Sequence, residues 1–145
     1  MNIDNEVEVV GLAAKCIDCQ EVFHYPSFGE FAYGKFIFTS DCGQYYRYFS
    51  VNNPVTKLIE VLLSDQCGAE VFQATLAAMA DPVAGHFFQI YTKCPTCSSC
   101  RLQPWGEHPV SKIVLKAAEY SELLALPRNS LIQKVRNFEL SIKGE

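Results

Sequence analysis

The chain has 145 residues, close to the usual size of a single folded domain, with 49% hydrophobic and 19% charged residues. This balance is typical of a globular protein, and no apolar run reaches the roughly 18 residues that a membrane span needs. The net charge of −4 argues against a nucleic-acid binder, because an acidic surface repels phosphates. We therefore expect one soluble domain over residues 1–145, without membrane association.

The start of the chain and its cysteines indicate the compartment. Residues 1–8 are acidic and lack the basic and apolar regions of a secretory signal, so we expect a cytoplasmic protein. The seven cysteines are an odd number. In a reducing compartment, pairs at two-residue spacing favour metal ligands or redox thiols over a disulfide framework.

Strands are predicted throughout the first fifty residues. Four segments rich in β-branched or aromatic residues predict strands at residues 6–15, 21–25, 34–40 and 44–51. The first two enclose a cysteine pair at their turn. The last two form the clearest hairpin, because Asp41, Cys42 and Gly43 make a short connection typical of an antiparallel pair.

Two helices are predicted after this hairpin. Asn53 is suited to cap the first helix, and Pro54 fits its first position. The second helix is rich in Ala and ends before Asp81 and Pro82. The apolar residues that recur at helical spacing in these helices are Val55, Leu58, Ile59, Leu62, Leu63, Phe72, Leu76 and Met79.

The last third of the chain is less regular. Residues 86–93 predict a strand that leads to Cys94, and residues 101–109 predict a loop, because two prolines and a glycine interrupt them. Residues 111–126 fit either a helix or a short strand followed by a helical turn, and the segment after Pro127 fits either a helix or a strand. The whole pattern predicts an α+β fold, with an antiparallel sheet that carries an aromatic hairpin and two or more helices on one face.

Two Cys-x-x-Cys pairs carry the strongest chemical signal. Cys16 with Cys19 and Cys94 with Cys97 supply the four thiolates of a tetrahedral zinc shell. With Pro95 after Cys94, they resemble the paired knuckles of the zinc-ribbon group, which implies a structural Zn²⁺ that joins distant segments. The pattern departs from that group because 74 residues separate the pairs and no Gly follows either one.

The remaining cysteines leave alternatives open. Cys100 follows at the same spacing and could replace Cys94 or Cys97 as a ligand. Cys42 is expected to be exposed and unliganded unless its turn folds over the site, and Cys67 is expected to be a buried free thiol.

A catalytic role has less support in the sequence. Cys94 and Cys97 also match the spacing of a dithiol redox centre, although no long helix can follow them to activate a thiol. Four cysteines leave no open position on a zinc ion, and His24, His86 and His108 fit no zinc-enzyme signature. We therefore predict a non-enzymatic protein, in which His24 and His86 are structural or surface groups.

Aromatic residues predict a partner-binding surface. Eleven of the seventeen Phe and Tyr residues lie between Phe23 and Phe49. Half of them are needed in the core, and we assign an outward-facing set, with the later Trp105, to a protein partner. The assigned residues are Tyr45, Tyr46, Tyr48 and Trp105.

The size, the acidity and the aromatic hairpin that leads into a helix resemble small bacterial immunity or antitoxin-like proteins. That resemblance implies capture of a basic toxin. The alternative is a nucleic-acid-associated zinc ribbon that would use Lys93, Arg101, Lys112 and Lys116 in the more basic last third.

Overall fold

The computed structural model describes residues 6–28, 34–63, 68–106 and 109–143, in which seven strands and four helices confirm the predicted α+β class. The strands are β1 (Glu6–Cys16), β2 (Val22–Ser27), β3 (Lys35–Ser40), β4 (Tyr46–Ser50), β5 (Phe88–Gln89), β6 (Leu102–Pro104) and β7 (Ser111–Ala117). The helices are α1 (Val55–Leu62), α2 (Ala69–Met79), α3 (Ser121–Leu124) and α4 (Arg128–Lys143). In these residues no helix is both long enough and apolar enough to cross a membrane.

The strands form one sheet in the order β2-β1-β7-β4-β3-β5, with β6 also paired to β1. Five of the six strand pairings are antiparallel, as expected. The prediction of a purely antiparallel sheet was wrong in one respect, because β4 and β7 run parallel. A parallel pair requires a long crossover connection. The chain supplies one here, because α1, α2, β5 and β6 all lie between β4 and β7.

The main core lies where the helices meet the β3–β4 hairpin. Phe38 and Phe49 are fully buried there and their rings stack with centroids 5.7 Å apart. The ring of Tyr120 meets Phe49 edge-on, and its hydroxyl donates a hydrogen bond to the Leu76 carbonyl at 2.6 Å. The aromatic hairpin thus contributes its inward-facing aromatic residues to the core, as the alternation of its side chains predicts.

The helix α1 begins at Val55, one residue later than predicted, and Pro54 precedes it with a helical backbone conformation. Asn53 Oδ1 accepts a hydrogen bond from the Val55 N–H at 2.9 Å, which satisfies one of the free donors of the first turn. At the other end of the chain, the ambiguous segment after Pro127 is the helix α4, and residues 111–117 form the strand β7. Packing against the main core favours the helix, because Leu131 and Val135 of α4 are buried there.

Two predictions for the last third were wrong in part. Residues 86–93 contain only the two-residue strand β5, because the Gln89 side chain donates to the Thr39 carbonyl and accepts from the Tyr91 N–H, which ends the ladder. The expected loop at 101–109 contains β6, whose last residue is Pro104. Proline is tolerated there because the hydrogen bonds to β1 come from alternate residues: the next donor is the Trp105 N–H, which bonds to the Ala13 carbonyl at 3.0 Å, and Pro104 lies at a position that needs no donor.

Candidate metal centre

The two cysteine pairs are brought together by strand β1. The first knuckle (residues 16–19) is the turn between β1 and β2, and the second knuckle (residues 94–97) lies in the loop between β5 and β6. β6 pairs with the end of β1 so that Leu102 is opposite Cys16, and the Ile17 N–H donates to the Arg101 carbonyl at 2.8 Å. The strand that was not predicted is therefore the element that positions the second knuckle beside the first.

Both knuckles have the same backbone hydrogen bonds. In each, the first cysteine N–H donates to the carbonyl five residues later, and its own carbonyl accepts from the N–H four residues later. These bonds are Cys16 to Glu21 at 2.8 Å, Gln20 to Cys16 at 2.9 Å, Cys94 to Ser99 at 2.9 Å and Ser98 to Cys94 at 2.8 Å. Two segments with unlike sequences thus fold into one local structure.

The residue after each knuckle adopts a left-handed backbone conformation. Gln20 has φ of 70° and Ser98 has φ of 66°. Glycine is the residue that favours this conformation, which costs other residue types free energy. The lack of a Gly directly after either knuckle therefore does not prevent the knuckle conformation, although it is a departure from the zinc-ribbon pattern.

The four thiols have the spacing of a tetrahedral metal shell. Cys16 Sγ lies 3.5 Å from Cys97 Sγ, and Cys19 Sγ lies 3.5 Å from Cys94 Sγ. All four sulfur atoms lie within 4.8 Å of one another. Four zinc–sulfur bonds of about 2.3 Å place the sulfurs of a regular tetrahedron about 3.8 Å apart. The four cysteines therefore fit an ion such as zinc with small side-chain movements.

One cysteine of each knuckle is buried and one is exposed. Cys16 and Cys94 are fully buried, whereas Cys19 and Cys97 are exposed. The buried pair packs with Ala14 in a cluster that includes Phe23, and Leu102 packs against it. The centre is therefore at the surface of the protein but anchored in a small apolar cluster of its own.

The pKa values of the thiols are shifted in opposite directions within the cluster. Burial opposes ionisation of Cys16, but hydrogen bonds from the backbone of Cys19 and Asp18 and from the Cys97 thiol lower its pKa to about 7. The backbone of Glu21 favours the Cys19 thiolate, yet lost solvation and the other thiols raise its pKa to about 12.

The pKa of Cys97 is also raised: the Ser99 backbone hydrogen bond lowers it, but the Cys16 thiol and lost solvation outweigh that effect. Four thiolates at this separation repel one another, so a divalent cation is the group that allows all four to ionise.

A polar clasp also joins the two knuckles. Asp18, inside the first knuckle, accepts a hydrogen bond from Ser99 Oγ at 2.5 Å and from Arg101 Nη1 at 2.7 Å. The Arg101 N–H in turn donates to Ser99 Oγ at 2.9 Å. Sequence reasoning missed this clasp, and its only signal was a charged residue between two cysteines.

The other cysteines lie outside the cluster. Cys100 is exposed and does not belong to the four-sulfur group, so among the described residues the structure favours Cys94 and Cys97 as ligands. The hairpin turn does approach the second knuckle: Gly43 has φ of 79°, and a Cβ on it would lie 2.6 Å from the Cys94 carbonyl oxygen. Cys42 nevertheless groups with Asp41 and His86. Cys67 and His108 lie outside the described residues.

The predicted partner-binding residues occupy different environments. Tyr45 packs against the main core, and Tyr46 and Tyr48 are partly buried. Burial and the neighbouring charge of Cys94 raise the pKa of Tyr46 to about 12. Trp105 is 45% exposed, and the Lys15 Nζ lies 4.5 Å from its ring centroid.

The cationic residues assigned to a nucleic-acid interface do not form one free patch. The guanidinium of Arg101 is paired with Asp18, and the register places Lys116 directly opposite Glu6. Lys93 is partly buried, and Lys112 is exposed.

No protein-family model matches the chain, and neither a curated protein nor a solved structure matches it. The chemistry of the site therefore rests on its geometry, which is that of a four-cysteine cluster able to bind a metal ion such as zinc.

Proposed function

We propose that the chain is a non-enzymatic zinc protein in which one Zn²⁺, held by Cys16, Cys19, Cys94 and Cys97, has a structural role. The observation that supports this most is the cluster of four sulfur atoms within 4.8 Å, supplied by two knuckles with matching backbone hydrogen bonds. Such a shell is closed, because four thiolates fill the positions of a tetrahedral ion and leave none for a water or a substrate.

The dithiol redox alternative fits the geometry less well. A redox pair reacts within itself, whereas the Cys94 thiol is 3.5 Å from Cys19 of the other knuckle. The second knuckle is also followed by a loop and β6 and not by a helix, so it lacks the helix dipole that lowers the pKa of an attacking thiol.

We further propose that the domain stabilised by this zinc carries a surface that binds another protein. Three observations support it: the net charge of −4, the exposed Trp105 directly after β6, and the position of Tyr46 and Tyr48 on the sheet face opposite Phe49. Aromatic residues are favoured in protein interfaces, and acidic surfaces accelerate capture of basic partners. A basic toxin bound by an immunity-type protein is the partner class that we propose.

The metal content tests the first part of the proposal. Protein purified without added metal is expected to contain one zinc per chain and to expose four further reactive thiols when it is denatured in chelator. Cys100→Ser is the matched control, since it removes an exposed thiol outside the cluster. Protein without metal, or with Cys94 and Cys97 disulfide-bonded, would overturn the proposal in favour of a redox protein.

The partner is tested separately by affinity capture with the wild-type protein and with Trp105→Ala. We expect a basic protein that the wild type retains at low salt and releases as salt rises, and that the variant retains less. Val114→Ala, an exposed substitution on β7, is the control. Capture of nucleic acid instead would favour the alternative function.

A further inference from the structure

A second group of metal-ligand side chains lies outside the four-cysteine cluster. Asp41, Cys42 and His86 each offer one ligand atom, and these atoms lie within 4.8 Å of one another. Two of the three residues are adjacent in the β3–β4 turn, and the third comes from a segment more than forty residues away. This arrangement was not predicted from the sequence, because a lone histidine and a lone cysteine have no recognisable spacing.

A tight turn fixes the backbone position of His86. Val83 and His86 exchange two backbone hydrogen bonds, of 3.0 and 2.9 Å, around a two-residue turn in which Ala84 has φ of 53° and Gly85 has φ of 82°. Alanine rarely adopts a left-handed conformation, and such strain persists only where the surrounding structure imposes it. The Asp41 N–H donates to the Phe87 carbonyl at 2.9 Å, which ties this turn to the hairpin.

The imidazole of His86 is oriented by its neighbours. Its Nδ1 lies 2.7 Å from Asp41 Oδ1, and its ring centroid lies 6.4 Å from that of Tyr45. The side chains of His86 and Asp41 are 42% and 53% exposed. An ion can therefore reach both groups from solvent without unfolding of the segment.

The thiol of Cys42 lies within hydrogen-bonding distance of a buried serine hydroxyl. Ser40 is fully buried, and its hydroxyl oxygen lies 3.3 Å from Cys42 Sγ. That oxygen accepts the Tyr45 N–H at 3.0 Å, so the hydroxyl proton is free to point at the sulfur. Hydrogen bonds of this kind orient metal ligands and stabilise their charged forms.

We propose that Asp41, Cys42 and His86 form a second cation site, which takes a transition metal such as Zn²⁺ and leaves a coordination position open. Thiolate, imidazole and carboxylate are the three donor types of protein-bound zinc. Three protein ligands leave the fourth position to water or to an anionic ligand, in contrast to the closed four-cysteine shell.

The site needs only a small rearrangement to bind the ion. A nitrogen and an oxygen bound to one tetrahedral zinc lie about 3.4 Å apart, given bonds of about 2.1 Å. The 2.7 Å separation of His86 Nδ1 and Asp41 Oδ1 is that of a hydrogen bond. Exchange of its proton for a metal requires the two side chains to separate by less than about 1 Å.

Addition of Co²⁺ tests the site, on protein that has been dialysed against a weak chelator until one zinc per chain remains, that of the closed four-cysteine centre. Cobalt reports its ligands through its visible absorption, and bonding to a thiolate adds a charge-transfer band in the near ultraviolet. We expect the wild type to bind one cobalt per chain with both signals. Cys42→Ser and His86→Ala are each expected to weaken this binding at least about 10-fold. Exposed residues of the same types supply the controls Cys100→Ser and His24→Ala, which should bind as the wild type does.

The absence of a thiolate–cobalt band in the wild type would overturn the second site, and so would a band that Cys42→Ser or His86→Ala leaves unchanged. The zinc content of the same samples reports on the four-cysteine centre. It should remain at one per chain in all four variants, which shows that they are folded. Each site can therefore fail independently of the other.

Discussion

The main core and the knuckle end of the molecule are stabilised by different means. Here the knuckle end comprises the two knuckles, β6 and the adjoining ends of β1 and β2. Among the described residues, the main core contains sixteen buried apolar residues, whereas the cluster at the knuckle end contains four, two of them cysteines. Stabilisation increases with the apolar area that is buried, so apolar burial stabilises the knuckle end less than it stabilises the main core. In the proposed function, a metal bound by the four cysteines provides at the knuckle end the stabilisation that apolar packing provides in the main core.

The largest effect is expected from the loss of one buried ligand. A structural zinc contributes on the order of 10 kcal/mol to the folding of small zinc domains, so Cys94→Ser should abolish stoichiometric zinc and cause the knuckle end to unfold. Elemental analysis and amide hydrogen exchange of β1, β2 and β6 measure both effects. Cys100→Ser should change neither, and unchanged zinc content in Cys94→Ser would contradict the assignment.

A cavity in the main core should lower the overall stability and leave the zinc content unchanged. Phe49 is fully buried and stacks on Phe38, so Phe49→Ala is expected to lower the free energy of unfolding by about 3–5 kcal/mol. The folded variant should still bind one zinc, because Phe49 belongs to the main core and not to the apolar cluster that contains Cys16 and Cys94. Urea unfolding with parallel zinc analysis tests this, and Leu140→Ala on the exposed side of α4 is the control.

Acid should weaken zinc binding through the raised pKa values at the knuckle end. The pKa values of Cys19 and Cys97 are raised, so near neutral pH both thiols carry protons without metal and must release them when zinc binds. Each proton released on binding lowers the apparent affinity tenfold per unit fall in pH, so the release of these two lowers it by at least about 100-fold. Competition with a chromophoric chelator at several pH values measures the slope, and a slope near zero would contradict thiolate ligation.

The smallest effect is expected from the polar clasp. The Asp18–Arg101 ion pair is largely exposed, and such pairs contribute about 0.2–1 kcal/mol. Arg101→Ala should therefore reduce the free energy of unfolding by no more than this amount, with zinc content unchanged. Loss of zinc in Arg101→Ala would mean that the clasp, and not the metal, assembles the two knuckles.

The two regions also differ in how far the sequence predicts them. The hairpins, α1 and α2 follow from local patterns, such as the helical spacing of Val55, Ile59 and Leu62. The four ligands follow from the spacing of the cysteines alone. Both signals are short-range and therefore visible in the sequence.

What the sequence could not predict depends on contacts between distant segments. β6 exists because residues 102–104 pair with the end of β1, and the parallel alignment of β4 with β7 requires the whole crossover between them. The Asp41, Cys42 and His86 group arises in the same way, since a strained turn at Ala84 places the histidine beside the hairpin.

X-ray absorption at the zinc edge, on protein that contains one zinc per chain, tests the central claim most directly. The four-cysteine centre predicts a shell of four sulfur atoms at about 2.3 Å, and it predicts that Cys94→Ser loses this shell. A shell dominated by nitrogen and oxygen at about 2.0–2.1 Å would contradict the account, because the zinc would then lie away from the two knuckles.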